Sequence, residues 1–227
     1  MPTQYRIEGG ESVIGISDRL GFFAETIWQH PENDALRDKR EDMNILLPGD
    51  VLHIPDKVPK EVDRPTGQRH VFRRRGIPAL FRLQLFLAEA PRARQKYRLT
   101  VDGKTVHGTT NSEGVLTRYV PAQAREGELE IGPDQFRVRL HFGGLDPLRE
   151  WIGVKKRLIN MGYHCGALDN APNDETRTAV ILLQNRCGIE ATGVIDLNDP
   201  GDPTLGKLRT LHDSDVMYPQ PPESTAA

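Results

Sequence analysis

The chain has 227 residues, of which 37% are hydrophobic and 27% are charged, and its formal net charge is −2. This nearly balanced charge argues against a protein built wholly around nucleic acid. The sequence also lacks the run of roughly 18 apolar residues that a membrane-spanning helix needs. The length suffices for two or three small domains, so the sequence predicts a soluble multidomain α+β protein.

The first segment, residues 1–56, alternates between strand and helix signals. The predicted elements are a strand at residues 5–7, a helix at 12–20, a second helix beginning near Ala24 and stopped by His30-Pro31, and a strand at 51–54. This strand-helix-helix-strand order brings the two outer strands together as neighbours. The glycine turns at Gly9-Gly10 and at residues 45–49 are therefore expected to lie side by side.

This segment resembles a LysM domain, a βααβ carbohydrate-binding module for chitin and peptidoglycan glycans. The matching positions are Tyr5, Gly10, Ile16, Asn33 and the run LPGDVLHIP at residues 47–55. In that family the sugar lies in a shallow groove between the first strand–helix loop and the second helix–strand loop. The resemblance implies glycan contacts at Gly10, Glu11, Ser12, Ile45, Leu46 and Leu47. The alternative interpretation is that Gly10 and Gly49 serve only as turn residues.

The segment departs from the LysM pattern at two places. Glu11-Ser12 stands where aspartate-threonine is usual, and residues 35–44 (ALRDKREDMN) form a charged extension before the second wall of the groove. Both departures lie where sugar selectivity would be set.

A polar, proline-containing stretch at residues 57–68 predicts a linker. Residues 69–143 then show short strands of period two with turns between them, and Asp102-Gly103 gives the strongest hairpin signal. These features predict an antiparallel β-sandwich. The stretch LTVDGKTVHGTTNSEGVLTRYVP (residues 99–121) is similar to a transthyretin-like or carboxypeptidase-regulatory-like sandwich repeat. Residues 69–98 contain nine Arg or Lys and one Glu. They form either a cationic face for acidic partners or ordinary solvated strand faces.

From residue 145 onward the apolar spacing becomes helical and predicts a small three-helix bundle at 144–213, followed by a mobile, proline-rich tail at 214–227. Two apolar faces are predicted, the first from Leu148, Trp151, Ile152, Leu158 and Ile159, and the second from Thr176, Val180, Leu183 and Cys187. Asp202-Pro203 predicts the cap and first residue of the third helix.

This region resembles a peptidoglycan-binding-domain-1 helical module. The matches are Leu158, Gly162-Tyr163, Gly166, Asp169, Thr176, Ala179-Val180, Gln184, Gly188 and TGVID at residues 192–196. The departures are Leu183, where phenylalanine is usual, and residues 170–173, which replace a glycine-containing loop. The resemblance implies wall contacts at Tyr163, His164, Asp169 and Gln184, and the alternative is that Tyr163 and Gln184 are structural.

The chain has two cysteines, Cys165 and Cys187. A disulfide between them closes a loop of about 20 residues and stabilises the fold by about 3 kcal/mol in the chain-entropy model. Such a bridge requires an oxidising compartment. Two reduced, buried cysteines are the other interpretation, because Cys187 lies in the apolar register of its helix.

The sequence contains no established catalytic motif. Nucleophile-elbow, zincin, phosphate-loop and C-x-x-C patterns are missing, and the seven histidines are not at metal-ligand spacing. We therefore expect neither an enzyme nor a cofactor or metal. The resemblances imply a non-catalytic protein that binds peptidoglycan through two weak modules acting together.

The stretch HPENDALRDKREDMNILLPGDVLHIPD (residues 30–56) is similar to LysM proteins associated with type VI secretion spikes. This resemblance implies a secretion spike or effector protein as partner, with the chain acting as an adaptor that docks a toxin effector, or as a cell-wall-targeting effector itself. Residues 5–7 have the pattern of a folded strand rather than a signal peptide. We therefore expect synthesis in the cytoplasm and delivery to the periplasm or cell envelope by a contractile injection system.

Overall fold

The structure is a computed structural model and describes residues 3–40, 42–58, 61, 63–71, 78–87 and 90–213. Helices occur together with antiparallel sheets, which confirms the mixed α+β class. The chain divides into two compact units, Met1–Gly143 and Gly144–Ala227. The predicted tail at 214–227 lies outside the described residues, as do positions 59, 60 and 62 of the predicted linker.

The first unit begins with a small module of two strands and several helices. Its elements are β1 (Thr3–Arg6), α1 (Val13–Leu20), α2 (Ala24–Trp28), a 3-10 turn (Pro31–Asn33), α3 (Asp34–Arg40) and β2 (Val51–Ile54). The outer strands pair antiparallel, with Tyr5 opposite Leu52. Helix α3 occupies part of the charged extension, so the predicted strand-helix-helix-strand order was one helix short.

The core of this module lies between the helices and the β1–β2 pair. Its buried members are Ile7, Val13, Ile16, Ala24, Ile27, Trp28, Leu36, Met43, Leu46, Leu52 and Ile54. Helix α1 begins where Ser12 Oγ accepts a hydrogen bond from the Gly15 backbone at 3.2 Å, and it ends at Gly21, whose φ of 77° is left-handed. This local chemistry positions the loop between β1 and α1.

The rest of the first unit is built from antiparallel strands. They are β3 (Ala79–Gln84), β4 (Phe86–Leu87), β5 (Ala90–Pro91), β6 (Lys96–Val101), β7 (Lys104–Thr109), β8 (Val115–Val120), β9 (Glu126–Ile131) and β10 (Phe136–His141). A four-stranded sheet has the order β10-β9-β6-β7, while β3 pairs with β8 and β4 with β5. The four-stranded sheet and the β3–β8 pair share one hydrophobic core. The predicted hairpin is confirmed, since Asp102 and Gly103 connect β6 to β7 with φ of 48° and 74°.

The second unit packs three helices around one core. They are α4 (Trp151–Asn160), α5 (Asp174–Cys187) and α6 (Pro203–Leu208), followed by a π-helical turn (Arg209–Asp213). The predicted cap of α6 is confirmed, because Asp202 accepts hydrogen bonds from the backbone of Thr204 and Leu205. The prediction for Ile159 was wrong. Its side chain is 40% exposed while Leu158 is fully buried, since one residue along a helix turns the side chain by about 100°.

Candidate functional site

The two glycine-containing loops of the first module lie side by side, as the strand-helix-helix-strand order predicts. The Ile7 N–H donates to the Asp50 carbonyl at 2.8 Å, and the Gly49 N–H donates to the Ile7 carbonyl at 2.9 Å. A further bond joins Val13 N–H to the Met43 carbonyl at 2.9 Å. The loop after β1 and the loop before β2 are therefore held together by main-chain hydrogen bonds.

Several small or apolar residues line the junction of these loops. A Cβ atom at Gly9 would lie 3.9 Å from Pro48 Cγ, and Gly10 has a left-handed φ of 76°. Ile45 and Leu47 are half-buried. Leu46, which the resemblance places at the groove, is only 5% exposed and belongs to the core. Of the six residues implied for this site, Gly10, Ile45 and Leu47 are the ones available to a ligand.

Glu11 and Ser12 hold the first loop in shape. Glu11 is 6% exposed, and its carboxylate accepts hydrogen bonds from the Tyr5 hydroxyl at 2.8 Å and from Arg19 Nη2 at 3.0 Å. The Glu8 backbone N–H donates to the same carboxylate at 2.9 Å. Burial alone would raise the pKa of Glu11, but the hydrogen bonds from Glu8, Tyr5 and Arg19 hold that pKa below its usual range. Ser12 caps α1, so both side chains serve the shape of the loop.

The low pKa of Glu11 predicts an acid-sensitive first unit. Because the pKa is lower in the folded than in the unfolded protein, the stabilisation is fully present above the unfolded pKa of about 4.3 and is lost as the pH falls through the folded value. We expect Glu11→Gln to lower the free energy of unfolding at pH 7 by about 1–2 kcal/mol. Thermal unfolding between pH 2 and pH 7 measures the free energy of unfolding of both proteins. The difference in this free energy between the variant and the wild type is expected to shrink in acid. A constant difference across this range would contradict the assignment.

Helix α3 braces the second loop. Arg40 binds the Asp50 carboxylate through two nitrogens at 2.7 and 2.8 Å, and the same carboxylate accepts the Leu47 N–H at 2.9 Å. Burial would raise the pKa of Asp50, but the hydrogen bonds of Arg40 and Leu47 lower it. The charged extension thus fixes the wall that carries Ile45 and Leu47, a role that the sequence reasoning missed.

In the second unit, Gln184 is part of the buried framework. Its side chain is 2% exposed. Its Oε1 accepts from the Gly193 N–H at 2.8 Å, and its Nε2 donates to Thr204 Oγ1 at 3.0 Å and to the Val194 carbonyl at 3.2 Å. The amide therefore ties the loop after α5 to α6 and has no free face for a ligand.

The other candidates of this unit differ in exposure. Asp169 is exposed and forms an ion pair of 2.6 Å with the fully buried Lys155. Lys155 lowers the pKa of Asp169 through its hydrogen bond. Tyr163 is half-buried against the core and His164 is exposed. Asp169 and His164 are the candidates that solvent reaches most easily.

Both cysteines are free in the structure. Cys165 is completely buried and Cys187 is half-buried. Burial raises the pKa of the Cys165 thiol more than the positive charge of Lys155 lowers it. A protonated, buried thiol is a poor nucleophile.

Within the described ranges, no three His, Cys, Asp or Glu side chains are grouped to hold a metal ion. None of the described helices is long and apolar enough to cross a membrane. No family model, curated protein or solved structure matches the chain.

Proposed function

We propose that this chain is a non-catalytic peptidoglycan-binding protein. The supporting observation is that main-chain hydrogen bonds join the loop after β1 to the loop before β2 in the first module. Glycines and the half-buried Ile45 and Leu47 lie beside these bonds. A sugar bearing N-acetyl groups suits such a surface. Its methyl groups pack on small apolar side chains, its amides bond to the backbone, and glycine allows close approach.

The helical second unit would supply a second contact with the same wall. A single shallow groove binds weakly, and two modules in one chain gain affinity when both reach one polymer. The exposed Asp169 and His164 are the residues through which this unit would contact peptidoglycan. The proposed setting is a bacterial type VI or related contractile injection system that delivers the protein to the periplasm or cell envelope.

Binding of the full chain to purified peptidoglycan sacculi tests this function. We expect retention of the wild-type protein and a loss of at least about tenfold in affinity for Leu47→Asp or Ile45→Asp, since a carboxylate in an apolar contact is costly to desolvate. Phe23→Asp is the matched control. Phe23 is 65% exposed and caps the start of α2, beyond the end of α1, a helix about 12 Å long that begins at the first loop.

The result would go against the proposal if wild type were not retained, or if Phe23→Asp reduced binding as strongly as the loop variants. Circular dichroism of each variant separates loss of the site from loss of the fold.

A second candidate function is an adaptor that docks a toxin effector to the secretion spike. It is favoured by two consecutive exposed apolar residues on β4, Phe86, which is 44% exposed, and Leu87, which is 63% exposed. Neighbouring apolar side chains that face solvent are typical of protein interfaces. Co-purification with a spike or effector protein that is lost in Leu87→Asp, with no retention on sacculi, would favour this function over glycan binding.

A further inference from the structure

The loop between β8 and β9 reaches the first module at several points. The Gln123 side chain donates to Asp18 on α1 at 3.0 Å. A Cβ atom at Gly15 would lie 3.1 Å from the Ala122 carbonyl oxygen. The sandwich strands thus present residues 121–125 directly to the helix that follows the first groove loop.

Arg125, the last residue of this loop, lies against the groove loop itself. A Cβ atom at Gly10 would lie 2.9 Å from Arg125 Nη1, and one at Gly143 would lie 3.5 Å from the same nitrogen. The backbone that carries Arg125 is fixed, because its carbonyl accepts the Phe142 N–H at 2.8 Å and its neighbour Ala124 is buried. The guanidinium is therefore held between Gly10 and Gly143.

The charge of Arg125 is available to a ligand. Arg125 is exposed, and none of the described carboxylates forms an ion pair with it. The buried acid of the adjacent loop, Glu11, is already paired with Arg19 at 3.0 Å. A guanidinium at one side of this junction is suited to a carboxylate, which it binds through charge-assisted hydrogen bonds.

We propose that Arg125 makes the groove selective for glycans that carry a carboxylate over neutral N-acetylglucosamine chains. This rests on the proposed glycan-binding function and goes beyond it, because it places a determinant of specificity in the sandwich rather than in the module that carries the groove. The carboxylate comes either from the lactyl group of N-acetylmuramic acid or from the attached peptide stem.

The test compares three ligands of equal glycan length by calorimetry on the full chain. They are chitotetraose, a peptide-free tetrasaccharide of alternating N-acetylglucosamine and N-acetylmuramic acid, and the same tetrasaccharide with its stems. We expect Arg125→Gln to weaken binding of at least one of the two ligands that contain N-acetylmuramic acid by about tenfold, the size of one lost charged hydrogen bond. The same variant should change chitotetraose binding less than about twofold. Loss for the peptide-free ligand assigns the contact to the lactyl group, and loss only for the stem-bearing ligand assigns it to the peptide.

Arg139→Gln is the matched control, an exposed arginine on β10 of the same sandwich, and it is expected to leave all affinities unchanged. The proposal is overturned if Arg125→Gln weakens the charged and neutral ligands equally, or weakens neither, while wild type binds glycan. If wild type binds none of the three ligands, the proposed glycan-binding function fails and this inference fails with it. The two failures are therefore distinguishable.

Discussion

Replacing Asn33 by alanine is expected to lower the free energy of unfolding of the first unit by about 3 kcal/mol, because it leaves a buried backbone donor without a partner. The Asn33 side chain is buried and links two elements. Its Oδ1 accepts the His53 N–H at 2.7 Å, while its Nδ2 donates to the carbonyls of His53 at 2.9 Å and Ile27 at 2.7 Å. The amide thus ties β2 to the end of α2. Hydrogen exchange of peptides from residues 13–28, followed across a denaturant series, measures the loss in the free energy of unfolding.

Two further variants make this prediction specific. Gln29→Ala alters an exposed side chain of the same segment and is expected to change the free energy of unfolding by less than about 0.5 kcal/mol. Asn33→Asp keeps the acceptor for His53 but places a carboxylate against two carbonyl oxygens, so its folded pKa is raised and its stability should recover as the pH falls. A loss below about 1 kcal/mol for Asn33→Ala, equal to that of Gln29→Ala, would show that the bridge contributes little.

The contact between the loop after β1 and the loop before β2 was predictable from the sequence, whereas the support that α3 gives to the second loop was not. Apolar spacing and the helix stop at His30-Pro31 place two helices between two strands, and that order alone brings the loops together. Helix α3 has a single buried residue, Leu36, so it shows no apolar stripe for a periodicity argument to find. It is held in place by the contact between Arg40 and Asp50, ten residues apart, which only the folded chain reveals.

For the predicted site residues, too, the sequence indicated the position in the fold but not the role of the side chain. A matched position indicates that a residue belongs to a pattern, but does not show whether its side chain points to a ligand or to its own fold. Glu11 is bound by Tyr5 and Arg19, which are six and eight residues away, and Gln184 is bound by Gly193 and Thr204. Buried amides and carboxylates require partners, so polar residues near the ends of apolar helices deserve a structural interpretation first.

Two buried cations on α4 are the largest departure from what the sequence suggests. Lysine and arginine are rarely buried unless they are paired, yet Lys155 is 0% and Arg157 is 1% exposed. Lys155 reaches the Ala167 carbonyl at 2.8 Å as well as Asp169. Lys155 thus holds the loop after α4, and Arg157 holds the turn after α6.

Alanine in place of Arg157 is expected to cost the second unit about 3–5 kcal/mol, the usual penalty for breaking a buried ion pair. Its Nε lies 2.9 and 3.0 Å from the two Asp213 oxygens, and its Nη1 donates to the carbonyls of Asp146 at 2.8 Å and Gly153 at 2.9 Å. Removing the guanidinium takes these hydrogen bonds away and weakens the link between the Arg209–Asp213 turn and α4. Hydrogen exchange of peptides from α4 and α5 across a urea series measures the change.

The pH dependence of this effect identifies its cause. Burial would raise the pKa of Asp213, but its hydrogen bond with His212 and the charge of Arg157 together lower it. The contribution of the pair is therefore present above the unfolded pKa of about 3.9 and is lost as the pH falls through the folded value. We expect the difference between wild type and Arg157→Ala to narrow below about pH 4, which a purely steric cavity would not produce. Arg186→Ala, at an exposed position of α5, is the control, and an equal loss in both variants would refute a special role for the buried pair.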